Sequence, residues 1–209
     1  SFYFVGLPEQ RVYFEEKFPD YLNNHEAEAQ TADALFIQAL EDQGVNWSAE
    51  EGSDLFQTTE VSVALSWLQI IDNPRQDIPL LAVLRSPVVG FTGDRLAAIR
   101  TLAEGDFYTA LQTAAAQGWL DCVEFLAQLA ALRFGAGELT SHQLLWNLYR
   151  ETDLLEIFSA MPGGEKRREN LLSFYQLARR FEGTGHKGLF GFLLHLDRVR
   201  KSGTLQTPP

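Results

Sequence analysis

The 209 residues contain one cysteine, Cys122, so no intramolecular disulfide and no multi-cysteine metal or iron–sulfur site can form within the chain. A lone thiol of this kind reads as an inert core residue. No apolar run approaches the roughly 20 residues of a membrane-spanning helix. The opening SFYFVGLPEQ carries neither a basic leader nor a small-residue cleavage site. A cytoplasmic protein with no membrane partner is the expectation. The sequence has no Gly-Lys dipeptide, hence no G-x-x-x-x-G-K-[ST] phosphate loop, and no Asp-Glu dipeptide following an apolar strand to hold magnesium. The stretch GTGHKGL is glycine-rich and basic, but its spacing does not fit such a loop. His25-Glu26 lacks the second histidine of a zinc-protease helix, and His142, His186 and His195 share no ligand spacing. No Ser/His/Asp set stands out. Catalysis, cofactor binding and metal binding within the chain itself are therefore not expected.

What is present is the composition of a soluble globular protein, 45% hydrophobic and 22% charged, long enough for a sizeable core. The net charge of −11 argues against a freestanding DNA binder, because affinity for nucleic acid rests on cations that displace counterions from phosphate. That charge is unevenly spread. Residues 1–57 are net −10, residues 58–161 net −6 and residues 162–209 net +5. The asymmetry fits an acidic lobe facing solvent or protein and a basic lobe able to face phosphate; ordinary solvated charge is the plainer alternative.

Residues 1–24 suggest one or two short strands or extended segments around Pro8 and Pro19, followed by a helix from His25 to Gln43 that stops at Gly44. Val45 to Trp47 reads as a further short strand, and AEEGSD as a linker or exposed loop. From Thr58 onward the pattern turns helical. Val61, Ala64, Leu65, Leu68 and Ile71 mark one face, Val63, Trp67 and Ile70 a second, and Ser62, Ser66 and Gln69 a narrow polar stripe. A helix apolar on most sides is buried on most sides. Asn73-Pro74 closes it, NPRQDIP reads as a loop, and a short apolar run spans Leu80 to Leu84. Ser86-Pro87 then forces extended backbone. Gly90 to Gly93 forms a turn into the next helix, with Thr92 as cap and Asp94 in its first turn. Helices are predicted from Gly105-Asp106 to about Gly118, and from Trp119 to about Gly135 with Trp119, Leu120, Val123, Leu126, Leu129 and Ala130 on its apolar face. Two more are predicted from Thr140-Ser141 through Tyr149, and from an Asp153 cap through Phe158. After the break Pro162-Gly163-Gly164, two final helices run over Glu165 to Glu182 and Lys187 to Lys201, with a frayed tail at residues 202–209. No fixed-length repeat is present. The fold class is mainly α, about eight to ten helices, with a small α/β or irregular piece at residues 1–56 and the helical domain at residues 57–201.

Two blocks carry a family resemblance. IIDNPRQDIPLLAVLRSPVVGFTGDRLAAIR resembles a segment of the A subunit of bacterial ATP-dependent helicase–nucleases of the AddA/RexA type, themselves similar to UvrD-like superfamily 1 helicases. The second block is MPGG followed by EKRRENLLSFYQLARRFE and GHKGLFGFLLHLDRV, which resembles the same protein further along. The resemblance covers roughly residues 44–200, most strongly at its two ends. It implies the helical subdomain called 2B, inserted into the second motor domain, with the boundary near Ser48 to Phe56. Residues 1–43 read either as a neighbouring piece of that motor domain or as a lineage-specific stretch.

In such helicases a similarly placed glycine-containing turn approaches the phosphates of duplex DNA. Carried over, this implies DNA contact at Gly90, Phe91, Thr92, Gly93 and Arg95, with Arg85 and Arg100 nearby in sequence. Glycine permits close backbone approach, and the unpaired N–H groups of a helix start favour anions. The usual arginine-glycine-apolar-glycine pattern is altered here, with Val89 before Gly90 and two residues between the glycines. A plain inter-helix turn is the alternative, with Arg100 paired to Asp94 or Glu104. Lys166, Arg167 and Arg168 form a second candidate group. Arg179 and Arg180 lie on the same predicted helix, and Arg168 and Arg179 fall within ~20° of each other around it. A solvated mixed-charge face is the alternative there.

The resemblance implies an accessory DNA-engaging domain of a helicase–exonuclease A subunit that processes double-strand ends for recombinational repair. ATP and magnesium belong to the parent, as does a B subunit; the DNA partner is duplex near a single/double-strand junction. A reading from another class is a stand-alone helical protein-interaction module without enzymatic activity.

Overall fold

The computed structural model describes residues 55–183 and 188–204, and the regular structure among them is helical throughout. The strands and helix expected before Trp47, and the linker after it, lie outside the described residues. Nine helices follow among the described residues: α1 Thr59–Asp72, α2 Asp77–Arg85, α3 Gly93–Arg100, α4 Phe107–Ala116, α5 Leu120–Gly135, α6 Ser141–Glu151, α7 Leu154–Ser159, α8 Gly164–Gly183 and α9 Leu189–Thr204. The last runs three residues beyond Lys201, into the stretch expected to be tail.

α1 is the hub, packed against α2, α5, α6, α8 and α9. Five neighbours leave almost no solvent face, which is why Val61, Ala64, Trp67, Leu68 and Ile70 are all fully buried. Even Ser66, on the expected polar stripe, is buried; its hydroxyl donates to the Ser62 carbonyl at 2.8 Å. Fully burying a single leucine or isoleucine is worth about 1.5–3 kcal/mol, so Leu68→Ala would strike the centre of the fold. The C-terminal carbonyls of α1 are taken up from outside: Arg133 of α5 donates to Ile70 O at 3.1 Å and Ile71 O at 2.9 Å. A guanidinium at a helix C-terminus also meets the negative end of its dipole.

Two sequence expectations change. The NPRQDIP loop is shorter than expected, because α2 begins at Asp77 and contains Pro79. Proline is accommodated there because the first N–H groups of a helix have no intrahelical acceptor to lose; Leu80 N–H, the next after it, bonds to Gln76 O at 3.1 Å. The apolar face of α5 is also rotated. Cys122, Phe125, Leu129 and Leu132 point inward, whereas Leu120 and Val123 are exposed. The helix carries apolar residues on both sides, so periodicity alone does not choose between them. Burial pushes the Cys122 thiol up to about 11, in keeping with an inert core cysteine.

Of the helix starts expected at Thr92, Asp106, Thr140 and Asp153, the first three are capped by those side chains, while Thr58 at the start of α1 makes no side-chain capping bond. Thr92 Oγ1 accepts from Arg95 N–H at 3.2 Å, and Asp106 Oδ1 accepts from Thr109 N–H at 2.8 Å. Thr140 forms a capping box with Gln143. Asp153 occupies the fourth N-cap position in the left-handed region, φ 51°, and its side chain makes no capping bond. Gly164 is required at the α7–α8 junction: a Cβ there would stand 1.8 Å from the Ser159 carbonyl oxygen.

Candidate nucleic-acid interface

The α2–α3 turn is built on main-chain bonds that α2 itself supplies. Gly90 N–H bonds to Ser86 O at 2.8 Å and Phe91 N–H to Leu84 O at 2.8 Å, while Ser86 Oγ donates to Val83 O at 2.6 Å. Gly90 has φ +79°, a conformation glycine adopts at no steric cost. Gly90, Thr92, Gly93 and Asp94 are exposed, so the start of α3 faces outward with its Thr92 cap. Arg85, exposed at the end of α2, reaches back over the turn, and its Nη1 donates to Phe91 O at 3.2 Å. A Cβ on Gly93 would lie 4.0 Å from that same Nη1.

Within the turn, Phe91 is the residue whose side chain does not face outward. Its side chain is packed inward, 8% exposed, with its ring centroid 6.5 Å from Phe125 of α5. A phenyl ring buried in the core plugs the turn from beneath. Arg95 also turns toward α5. Its Nε donates to Asp121 Oδ2 at 2.7 Å and its Nη2 to Asp121 Oδ1 at 2.5 Å, and the guanidinium lies 3.9 Å from the centroid of the Trp119 ring. This pair remains about one-third exposed on both sides, 33% for Arg95 and 39% for Asp121. The Arg95 hydrogen bond, aided by the Cys122 N–H, holds the Asp121 carboxyl below the ordinary aspartate range. Arg100 pairs with neither Asp94 nor Glu104; its Nη1 donates to Ala103 O at 2.9 Å, and it stays exposed.

The second group is anchored elsewhere. Arg167 Nη1 meets Glu60 Oε2 at 2.6 Å, its Nε donates to Pro162 O at 3.1 Å, and Asn170 Nδ2 donates to the other Glu60 oxygen at 2.6 Å. Glu60 is buried, so Arg167 welds the start of α8 to the start of α1 and is committed to the fold. Lys166 is exposed and pairs with Glu169 at 3.2 Å, one helical turn along. Arg168 and Arg179 are both half-buried on α8, and Arg180 is exposed. His142, which had no ligand spacing, pairs through Nδ1 with Glu182 Oε2 at 2.8 Å, and Glu182 also accepts from the Ser141 N–H. Among the described residues no group of three or more His, Cys, Asp or Glu could hold a metal ion, and no helix is long and apolar enough to cross a membrane.

The structure thus brings Arg85, Gly93, Thr92 and Arg95 together around one turn braced on α5, and gives Lys166, Arg167 and Arg168 a separate footing on α8. Trp119, Asp121 and Glu60 are the partners that sequence reasoning missed. Asp121 reads in sequence as an ordinary acidic residue in a helix first turn, and its separation of 26 positions from Arg95 hides the pairing.

No family model matches the chain. Among curated proteins it is 43% identical over 173 residues, 80% of its length, to the ATP-dependent helicase/nuclease A subunit of Acetivibrio thermocellus. It is 45% identical over 174 residues, 81% of its length, to the protein of that name in Desulforamulus reducens, and 42% identical over 156 residues, 73% of its length, to the one in Lactobacillus gasseri. The chain spans only about 13–14% of the length of these relatives. Over most of its length, then, this chain is a homologue of one segment of the A-subunit family of ATP-dependent helicase/nucleases.

Proposed function

We propose that this helical domain is the 2B-like accessory domain of a UvrD-like ATP-dependent helicase–exonuclease A subunit. Its role is to engage duplex DNA beside a single/double-strand junction while the parent processes double-strand ends for recombinational repair in the cytoplasm. The similarity to helicase/nuclease A subunits over four fifths of the chain carries this reading. ATP and magnesium are handled by the parent, and a B subunit completes the complex. The exposed turn at Gly90–Gly93, with Arg85 over it and Arg100 further on at the other end of α3, is the proposed phosphate contact, aided by the basic stretch that includes Lys166 and Arg168. Phe91 and Arg167 serve the fold at these places.

Binding by the isolated chain is then weak, not sequence-specific and steeply salt-dependent. With two to four cations on phosphate, the logarithm of affinity falls against the logarithm of salt with a slope of roughly −2 to −4. Fluorescence anisotropy of a labelled hairpin with a single-stranded tail measures this; tight binding indifferent to salt overturns the reading. The same chain lacks the phosphate loop, so saturable micromolar ATP binding would equally overturn it.

A second reading has its own observation. Leu120, Val123, Ala127, Ala130 and Phe134 stand at i, i+3, i+7, i+10 and i+14 along the outer side of α5, within about 80° of arc at ~100° per residue. Leu120 is 73% and Phe134 84% exposed. A stripe of this length on a helix otherwise built into the core fits a protein partner. The occupant favoured is the remainder of the parent polypeptide, since the relatives are about seven times longer than the segment they share with this chain.

A further inference from the structure

We infer that Asp121 and a DNA phosphate compete for the same Arg95 guanidinium, so that Asp121 is a built-in brake on DNA binding at the α2–α3 turn. The inference rests on the proposed DNA contact at that turn and adds to it a residue that sets its strength.

A guanidinium presents its donors as a planar fork that fits a carboxylate and a phosphate in the same bidentate manner. Asp121 occupies one side of the fork through Nε and Nη2. The other donors of Arg95 make no hydrogen bond to a described residue. Both partners are about one-third exposed, so water and a solute anion can reach the pair. This contrasts with Glu60, whose side chain is only 3% exposed and which no incoming anion can displace. Trp119 lies against the guanidinium at 3.9 Å and supports it from the face that Asp121 does not use. Stacking on an aromatic ring does not depend on which anion the fork holds. The carboxylate is held ionised by its partner, so exchange is governed by phosphate and salt and not by protonation near neutral pH.

Arg95 is also in the right place. Its own N–H is the one capped by Thr92, so its side chain springs from the first turn of α3, beside the exposed Thr92 and Gly93. An Arg95 released from Asp121 adds one cation at the turn where Arg85 already stands. While the pair is closed, the turn presents both fewer donors and a carboxylate that repels phosphate. The device lowers resting affinity, which suits a domain whose contact with duplex must be made and broken as a motor advances.

The experiment measures hairpin binding by anisotropy across a salt series for the wild type, Asp121→Asn, Asp121→Glu, Arg95→Ala, the double variant Asp121→Asn/Arg95→Ala, Arg85→Ala and Glu124→Gln. Glu124 is an exposed carboxylate three residues along α5 and controls for the loss of one negative charge. Asp121→Asn is expected to bind about 3- to 10-fold more tightly than Glu124→Gln, with a salt slope steeper by about one unit. Asp121→Glu should bind as the wild type does, and the double variant should lose the gain. Thermal melts followed by circular dichroism confirm that each variant is folded at the assay temperature. A purely structural pair predicts a lowered melting point for Asp121→Asn with affinity equal to that of Glu124→Gln, and that result overturns the inference. If Arg85→Ala weakens binding while Asp121→Asn equals the control, only the brake fails. If no variant binds at all, the DNA contact and the brake fail together.

Discussion

Two of the arginine–carboxylate pairs that join helices in this domain, Arg167–Glu60 and Arg95–Asp121, are nearly equal in length and differ widely in burial. Arg167–Glu60 closes at 2.6 Å with the carboxylate 3% exposed; Arg95–Asp121 closes at 2.5 Å with the carboxylate 39% exposed. In the first, both carboxylate oxygens are bonded by side chains of α8, and the pair joins two helices around the hub. In the second, the pair braces a short helix beside an exposed turn. A buried pair resists exchange because any competitor must first be dehydrated, whereas a half-exposed pair is always within reach of solvent ions. The same chemistry therefore acts as a weld at one place and as an exchangeable latch at the other.

The sharpest way to break this contrast is to delete one member of the weld. Arg167→Ala leaves Glu60 buried with Asn170 as its only remaining side-chain donor among the described residues. Removing one partner of a buried pair costs about 3–5 kcal/mol, here at the lower end because Asn170 remains. At about 2–4 °C per kcal/mol for a domain of this size, the melting point should fall by roughly 6–12 °C. Arg95→Ala should lower it by clearly less, since exposed pairs contribute little. Melting points that fall equally in the two variants would erase the distinction. Glu60→Gln sharpens it further, because the amide keeps the shape of the side chain but removes its charge and turns one acceptor oxygen into an NH2 group facing the donor of Arg167 or Asn170.

Acid provides a smaller and graded effect. The Asp121 carboxyl is held low first by Arg95, and the Asp106 carboxyl first by the Thr109 N–H, then by the Thr109 hydroxyl and Arg75. A carboxyl whose folded value lies below its unfolded value of about 4 contributes stability that is fully present above that unfolded value. The contribution is lost as the pH falls through the folded value. The melting point should therefore be level from pH 7 to about 5 and decline below about 4, with a shallower decline in Asp121→Asn. An Asp121→Asn curve parallel to the wild type throughout would show that the latch contributes nothing to the fold.

Much of this architecture was legible because local chemistry and global packing agree. Thr92, Asp106 and Thr140 each precede an apolar-periodic stretch and each caps a helix. The nearly all-round apolar pattern of Thr59–Asp72 announced the hub. What was not legible needed contacts distant in sequence. Arg95 finds Asp121 across 26 residues and Arg167 finds Glu60 across 107, and no spacing rule encodes either. Phe91 looked like part of an exposed turn because its neighbours are polar or glycine; only Phe125 beneath it shows that the ring is a plug. The start of α2 was hidden by Pro79, which reads as a breaker although it sits where a helix tolerates it.

The smallest expected effect comes from the outer stripe of α5, and its smallness is the point. Cys122, Phe125, Leu129 and Leu132 already fasten this helix to the core, so Leu120 and Phe134 add nothing to the stability of the isolated domain. Surface substitutions away from special features change stability by about 0.5 kcal/mol or less in either direction. Leu120→Ser combined with Phe134→Ser should therefore leave the melting point of the chain unchanged within about 2 °C, while Phe125→Ala lowers it by several times that amount through the cavity it leaves. If the stripe meets the rest of the parent polypeptide, the double serine variant in the full-length protein should instead lower the melting point or expose the junction to proteolysis. The two settings separate the possibilities: a loss already present in the isolated chain places these side chains in the domain's own core, and a loss absent from both removes the case for an occupant on α5.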